Sequence, residues 1–136
     1  MKILCVCYGN TCRIPMLSAL LKRELESRGI LAEVESAGVE PLDTFEVSPA
    51  SSYAIEVMAE MGLDISAHVN QQVSRLNLST YDIIYSVDKK YVPYLNSLGA
   101  ENVRVLEGIP NPYKKGKVAY RKCAEVLAQL VKQKVL

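Results

Sequence analysis

The segment Cys7-Tyr8-Gly9-Asn10-Thr11-Cys12-Arg13 sets a cysteine and an arginine apart with five residues between them. Where a strand turns tightly into a helix, backbone N–H groups converge on one point and the helix adds its positive end. That arrangement suits a phosphate-like dianion. Gly9 permits backbone conformations that other residues resist. Arg13 can donate two parallel hydrogen bonds to phosphate oxygens. The same field favours a thiolate at Cys7, because cysteines at helix N-termini beside cations fall from about 8.5 to roughly 3.5–7.5 in pKa. A thiolate next to a bound phosphate ester is a nucleophile in place. The spacing by itself is common, and a buried strand-end cysteine with a surface arginine would give the same pattern. Its weight comes from position: a strand–helix junction, with Gly9 and Asn10 inside the turn and Pro15 just after it.

Flanking elements must supply that junction. Residues 2–7 (KILCVC) form a short apolar run that ends in glycine, a buried strand entering a turn. Pro15 suits the first turn of a helix, and Met16, Leu17, Leu20, Leu21 and Leu25 then recur at helical spacing until Gly29. LAEVES, residues 31–36, alternates as a second strand, and residues 37–47 read as a loop. Ser48 and Pro49 look like a cap and first helical position, followed by an apolar face of Ala54, Ile55, Val57, Met58 and Met61 up to Gly62. YDIIYSV (81–87) is a third strand, residues 88–99 a helix with Pro93 near its start, and NVRVL (102–106) a fourth strand. Residues 107–116 (EGIPNPYKKG) form a loop. A last helix runs from about Lys117 to the C-terminus, with Val118, Cys123, Val126, Leu127 and Leu130 expected to face inward. Strands alternating with helices imply an α/β fold: three αβα layers around a four-stranded parallel sheet, with sites at the carboxyl ends of strands. The loops after the first and fourth strands carry the chemistry.

Bulk properties narrow the function classes. A chain of 136 residues, 49% of them apolar, fits a single domain spanning 1–136. A net charge of +1 argues against nucleic acid as a partner. The lysines of the C-terminal half (Lys114, Lys115, Lys117, Lys122, Lys132 and Lys134) read as a mildly basic solvated face. The opening residues lack a signal-peptide core, and no apolar stretch reaches the roughly 18 residues that span a bilayer. The expectation is a soluble cytoplasmic protein with no membrane partner. In that compartment Cys5, Cys7, Cys12 and Cys123 are expected as reduced thiols. The single histidine, His68, and the spacing of Cys7 and Cys12 do not match a zinc site, so no metal or other cofactor is expected.

CYGNTCRIPM resembles the phosphate loop of the low-molecular-weight protein-tyrosine phosphatases, C-x-G-N-x-C-R-S-P. The resemblance spans nearly the whole chain. Ser36-Ala37-Gly38 matches the family's S-A-G, His68 its single histidine, YDIIYSVD its strand ending in an M-D pair, and Asn111-Pro112-Tyr113 its D-P-Y general-acid loop. The resemblance implies that Cys7 attacks phosphorus to give a phosphocysteine. Arg13 and the amides of Tyr8 to Arg13 would bind the equatorial oxygens of a phosphorylated protein or peptide, or of inorganic phosphate or another oxyanion. It also implies that Asn10 braces the loop with Ser36 and His68, and that Tyr8 and Tyr113 wall the pocket mouth. Cys12 would form a reversible disulfide with Cys7. Cys5 and Cys123 read as small core hydrophobes.

This chain departs from the family at two positions. Asn111 replaces the aspartate that protonates the leaving oxygen and activates water, a contribution typically worth about 10²–10⁴-fold. Glu107 and Asp88 are the nearby carboxylates that would have to substitute. Ile14 replaces a serine whose hydroxyl supports the thiolate. Both changes point to slow turnover or to a phosphate-binding relative that no longer turns over. Thr11 is shared with the related protein-arginine phosphatases, while Tyr113 leans toward phosphotyrosine, so both substrates stay open. A redox sensor built on Cys7 and Cys12 is also compatible. Thioredoxin-coupled arsenate reductases share the loop but need two further cysteines after the third strand, and residues 86–99 contain none. Replacing Arg13 with lysine should remove most phosphate affinity, because a point charge cannot reproduce the planar fork. Inhibition by phosphate or vanadate that survives Arg13→Lys would count against that role.

Overall fold

The computed structural model describes residues 1–9 and 11–134. Four strands form one parallel sheet: β1 (Lys2–Cys7), β2 (Glu33–Gly38), β3 (Ile83–Ser86) and β4 (Val103–Val105), in the spatial order β2-β1-β3-β4. The helices are α1 (Arg13–Ser27), α2 (Ser52–Glu60), α3 (Val92–Ser97) and α4 (Lys117–Gln133). β1 is apolar on both faces because both faces are covered. Ile3, Cys5 and Cys7 pack into the core under α1, α2 and α4, while Leu4 and Val6 pack with Val73, Leu78, Tyr81 and Leu95 on the other side. The three-layer αβα architecture follows from that two-sided burial. β1 is interior, and the chain leaves it first toward β2 and later returns to its other side with β3. The carboxyl end of β1 is therefore the point where the winding reverses, and loops there diverge to leave a crevice. Cys7 is the last residue of that strand.

α2 and α4 are clamped by a bidentate pair, Arg121 Nε to Glu60 Oε1 at 3.0 Å and Nη2 to Oε2 at 2.9 Å, with Lys117 Nζ 3.3 Å from the same carboxylate. Those cations hold the exposed Glu60 carboxyl down near 2. No helix among the described residues is long and apolar enough to cross a membrane.

Several sequence-derived boundaries move. The second strand starts at Glu33 and runs on to Gly38, because its register follows β1 to its last residue, Cys7 opposite Gly38, while Leu31 is left exposed. Ser48 and Pro49 do not start a helix. The backbone N–H of Ser48 donates to Asn70 Oδ1 and Pro49 bridges to Val69, so the cap falls to Ser51, whose Oγ accepts from the Ala54 N–H at 3.3 Å. The segment before α3 closes as a tight 3₁₀ turn at Lys89–Tyr91, capped by the Asp88 side chain. Val118, expected to face inward, is exposed at the start of α4.

Cys5 and Cys123 lie in the same core, and burial pushes both thiols from an ordinary 9.0 up to about 12. Unfolded, these thiols ionise above about 9, while in the fold they stay protonated until about 12. Their contribution to stability is thus complete below pH 9 and is lost as pH rises through 12. The denaturation midpoint of Cys123→Ala should fall less steeply between pH 9 and 11 than that of the parent chain. Equal slopes would show that Cys123 is not desolvated.

Candidate active site

The turn from β1 into α1 is held by its carbonyl oxygens. The Cys7 carbonyl accepts from the Val39 N–H at 2.9 Å and the Tyr8 carbonyl from the Glu40 N–H at 3.0 Å. The Gly9 carbonyl accepts from Asn70 Nδ2 at 3.4 Å, and the Thr11 carbonyl from the Ser51 N–H at 2.8 Å. Each of these oxygens points away from the turn into its scaffold. The N–H groups of Tyr8, Gly9, Thr11, Cys12 and Arg13 have no acceptor among the described residues. Backbone donors in such a setting need a partner from outside, and here they belong to a loop that ends on the N-terminus of a 15-residue helix. An anion is the partner that satisfies donors and helix dipole together.

The loop encloses a cleft of about 270 Å³, lined from the loop itself by Cys7, Tyr8, Gly9, Thr11, Cys12 and Arg13. Asn111 and Tyr113 enter it from the loop after β4, and Glu40 from the loop after β2. Cys7 is 5% exposed, enclosed by its strand neighbours yet facing the cleft. Tyr8 and Tyr113 stand half exposed in the lining and offer aromatic walls. Cys12 Sγ lies 3.3 Å from the Tyr120 hydroxyl, which pins the loop to α4. Burial, with Cys12 as neighbour, raises that phenol to about 12.

Other expected residues fall elsewhere. Ile14 does not line the cleft: it is fully buried in the core cluster that includes Cys7, because the second residue of α1 faces the sheet. Ser36 lies on β2 opposite Cys5, with its carbonyl taking Gln71 Nε2 at 2.9 Å. His68 is half-buried, its N–H donating to the Ile65 carbonyl. Asn10, the expected brace, lies outside the described residues. Asp88 and Glu107, the carboxylates considered as replacements for the missing acid, do not line the cleft. Asp88 instead accepts from the Lys90 N–H at 2.9 Å and pairs with Lys90 Nζ at 3.8 Å.

Asn111 is held in a specific orientation. Its Oδ1 accepts from the Tyr113 N–H at 3.2 Å, closing an Asx turn. With that oxygen engaged, the group left to face the cleft is the amide NH₂, a donor. It can hydrogen-bond a leaving oxygen but cannot accept a proton from water.

Four contributors were not legible in the sequence. Asn70 is 6% exposed and joins three loops, through Gly9, the Glu46 carbonyl at 2.9 Å and the Ser48 N–H at 2.6 Å. Gln72, 1% exposed, holds the Glu40 carbonyl at 3.1 Å. Tyr91 lies where the charges of Cys7 and Arg13 reach its phenol, which burial raises first of all. Glu40 is the fourth. The one available signal was the run Asn70-Gln71-Gln72, three amides where a solvated loop would more often carry charge. Gly38 had a signal, its S-A-G context, and the structure supplies its reason. A Cβ there would collide with the Tyr8 carbonyl oxygen and lie 3.1 Å from the Gly9 carbonyl carbon.

The comparisons converge on one family. A model described as "Low molecular weight phosphotyrosine protein phosphatase" matches residues 2–135. Among curated relatives, "Probable low molecular weight protein-tyrosine-phosphatase EpsP" of Ralstonia nicotianae is 42% identical over 63% of this chain. The chain spans about half of that relative's length, 54%. "Low molecular weight protein-tyrosine-phosphatase Wzb" of Escherichia coli K12 is 31% identical over 96% of this chain and 90% of its own. Among solved structures, a low molecular weight protein tyrosine phosphatase from T. tengcongensis superposes with a TM-score of 0.85 at 33% identity, covering 97% of this chain and 95% of its own. The YwlE arginine phosphatase, solved as a serine mutant with a phosphorylated active-site serine, gives 0.82 at 25% identity, covering 98% and 92%.

Replacing Asn70 with alanine should free the Gly9 and Glu46 carbonyls inside the protein. The expected results are a loss of about 1–3 kcal/mol in denaturant unfolding and weaker phosphate binding by calorimetry. Unchanged phosphate affinity would show that the loop holds its shape without Asn70.

Proposed function

This chain belongs to the low molecular weight phosphotyrosine protein phosphatase family, and on that footing we propose that it is a slow protein phosphatase working through a phosphocysteine at Cys7. The observation that carries the reading is the set of five loop N–H groups and Arg13 lining one cleft with the Cys7 thiol. In the first step Cys7 Sγ attacks phosphorus as the bond to the side-chain oxygen breaks. The loop donors and Arg13 hold the three equatorial oxygens through the transition state. Asn111 gives the leaving oxygen a hydrogen bond, and the proton that oxygen takes up comes from solvent. In the second step water attacks phosphorus and the S–P bond breaks, returning Cys7 and releasing phosphate. No carboxylate at position 111 collects the water's proton, which passes to solvent, and for a leaving group that needs no acid this step is the slower one. Serine phosphorylated in the active site of the YwlE mutant supports phosphoryl transfer to the corresponding side chain.

Phosphotyrosine is the first substrate on this reading, given the family and the walls of Tyr8 and Tyr113. Phosphoarginine is the second, favoured by Thr11 in the cleft and by the arginine phosphatase among the structural neighbours. A cytoplasmic setting keeps the Cys7 thiol reduced.

The test is rapid-mixing kinetics with p-nitrophenyl phosphate, whose leaving group needs no acid. The expected trace is a burst of about one p-nitrophenol per chain followed by slow turnover, both lost in Cys7→Ser. Asn111→Asp should then raise the steady-state rate at least tenfold, within the range of general acid–base catalysis. Tight phosphate binding without a Cys7-dependent burst would make the chain a phosphate or phosphoprotein binder instead.

A further inference from the structure

Among the described residues of the cleft lining, Glu40 is the one acidic side chain. Its backbone is fixed at both ends, the N–H on the Tyr8 carbonyl and the carbonyl on Gln72 Nε2. Because Gly9 has no side chain, a niche opens above it. The point where its Cβ would lie is 3.8 Å from Thr11 Oγ1 and 3.9 Å from Glu40 Oε1. The Glu40 carboxylate and the Thr11 hydroxyl thus border the same part of a cleft in which the loop N–H groups and Arg13 are donors. Among the described residues the Glu40 carboxylate has no hydrogen-bond or ion-pair partner. Among the described residues Thr11 Oγ1 meets the Cys12 sulfur at 3.8 Å.

A carboxylate here opposes a dianion on its own. It favours a phosphoryl group that arrives with a cation beside it, since a guanidinium or ammonium N–H fits between the carboxylate and the hydroxyl. Tyr8, in the same lining, adds a ring face for such a cation. Lys114 stands 5.4 Å over the Tyr113 ring, which places the opposing positive charge with Tyr113, on the loop after β4.

We infer that Glu40 is a specificity determinant that selects substrates carrying a cationic N–H group next to the phosphoryl group. Two sources have that chemistry: the guanidinium of phosphoarginine itself, and an arginine or lysine beside phosphotyrosine. The inference rests on the phosphate-cleft reading above but not on turnover, because it concerns binding.

The experiment is calorimetric titration of the full chain as Cys7→Ser, with and without Glu40→Gln. Three peptides of otherwise neutral sequence are compared: phosphoarginine, phosphotyrosine, and phosphotyrosine followed by arginine. Glu40→Gln should weaken a cation-bearing peptide by about tenfold or more while tightening neutral phosphotyrosine about twofold. Selective loss on phosphoarginine assigns the niche to the phosphoguanidine; selective loss on the third peptide assigns it to a neighbouring residue. Equal weakening of all three would make Glu40 a support of the loop, and no change, or equal tightening, would make it a bystander; each overturns the inference. Inorganic phosphate serves as the control. If it binds and no peptide does, the Glu40 inference falls alone. If it does not bind either, the phosphate cleft itself fails.

Discussion

Four carbonyl oxygens between Cys7 and Thr11 are fixed by three other parts of the chain, and that outward anchoring is what the site depends on. A peptide unit that turns its oxygen to the scaffold turns its N–H the other way. Repeated along a short turn, this leaves a set of donors facing one space. Their mutual repulsion is tolerable only because rigid partners hold them: the extension of β2, the cap of α2, and a buried asparagine. The donors are therefore in place before any anion arrives, and little reorganisation is needed when charge develops on it.

The scaffold meets this need through close approach. β2 runs alongside β1 to its last residue and then hands two successive N–H groups, from Val39 and Glu40, to the turn. Only glycine at position 38 lets the two backbones come so near. Burial then separates the cysteines by role. Cys5 and Cys123 are desolvated and held protonated, while Cys7 ends its strand facing donors and Arg13. The same residue type thus acts as core filler at two positions and lines the cleft at a third.

Polarity around the cleft is uneven. The loop, Arg13 and the Asn111 amide all donate; Glu40 and Thr11 accept. Position 111 carries an amide, turned donor-side in by an Asx turn. The remaining carboxylate stands on the opposite loop, over Gly9.

The alternation of strands and helices was legible from sequence because apolar periodicity is a local property, and so was the turn from Cys7 to Arg13, because a strand–turn–helix junction is built from consecutive residues. Boundaries set by pairing were not. β2 reaches Gly38 because β1 lies beside it, and the cap shifts from Ser48 to Ser51 because Asn70 has already taken the Ser48 N–H. Val118 has the right spacing for an inward face, yet it precedes the buried face of α4, which begins at Tyr120. Asn70, Gln72, Tyr91 and Glu40 could not be assigned from the sequence, since each acts across 30 or more residues on a loop it does not adjoin. The chain's order put Cys7, the loop amides and Arg13 within one turn. Only the packing of distant loops decided where those atoms point and which charges stand beside them, because burial and hydrogen-bond competition are settled between segments rather than within them.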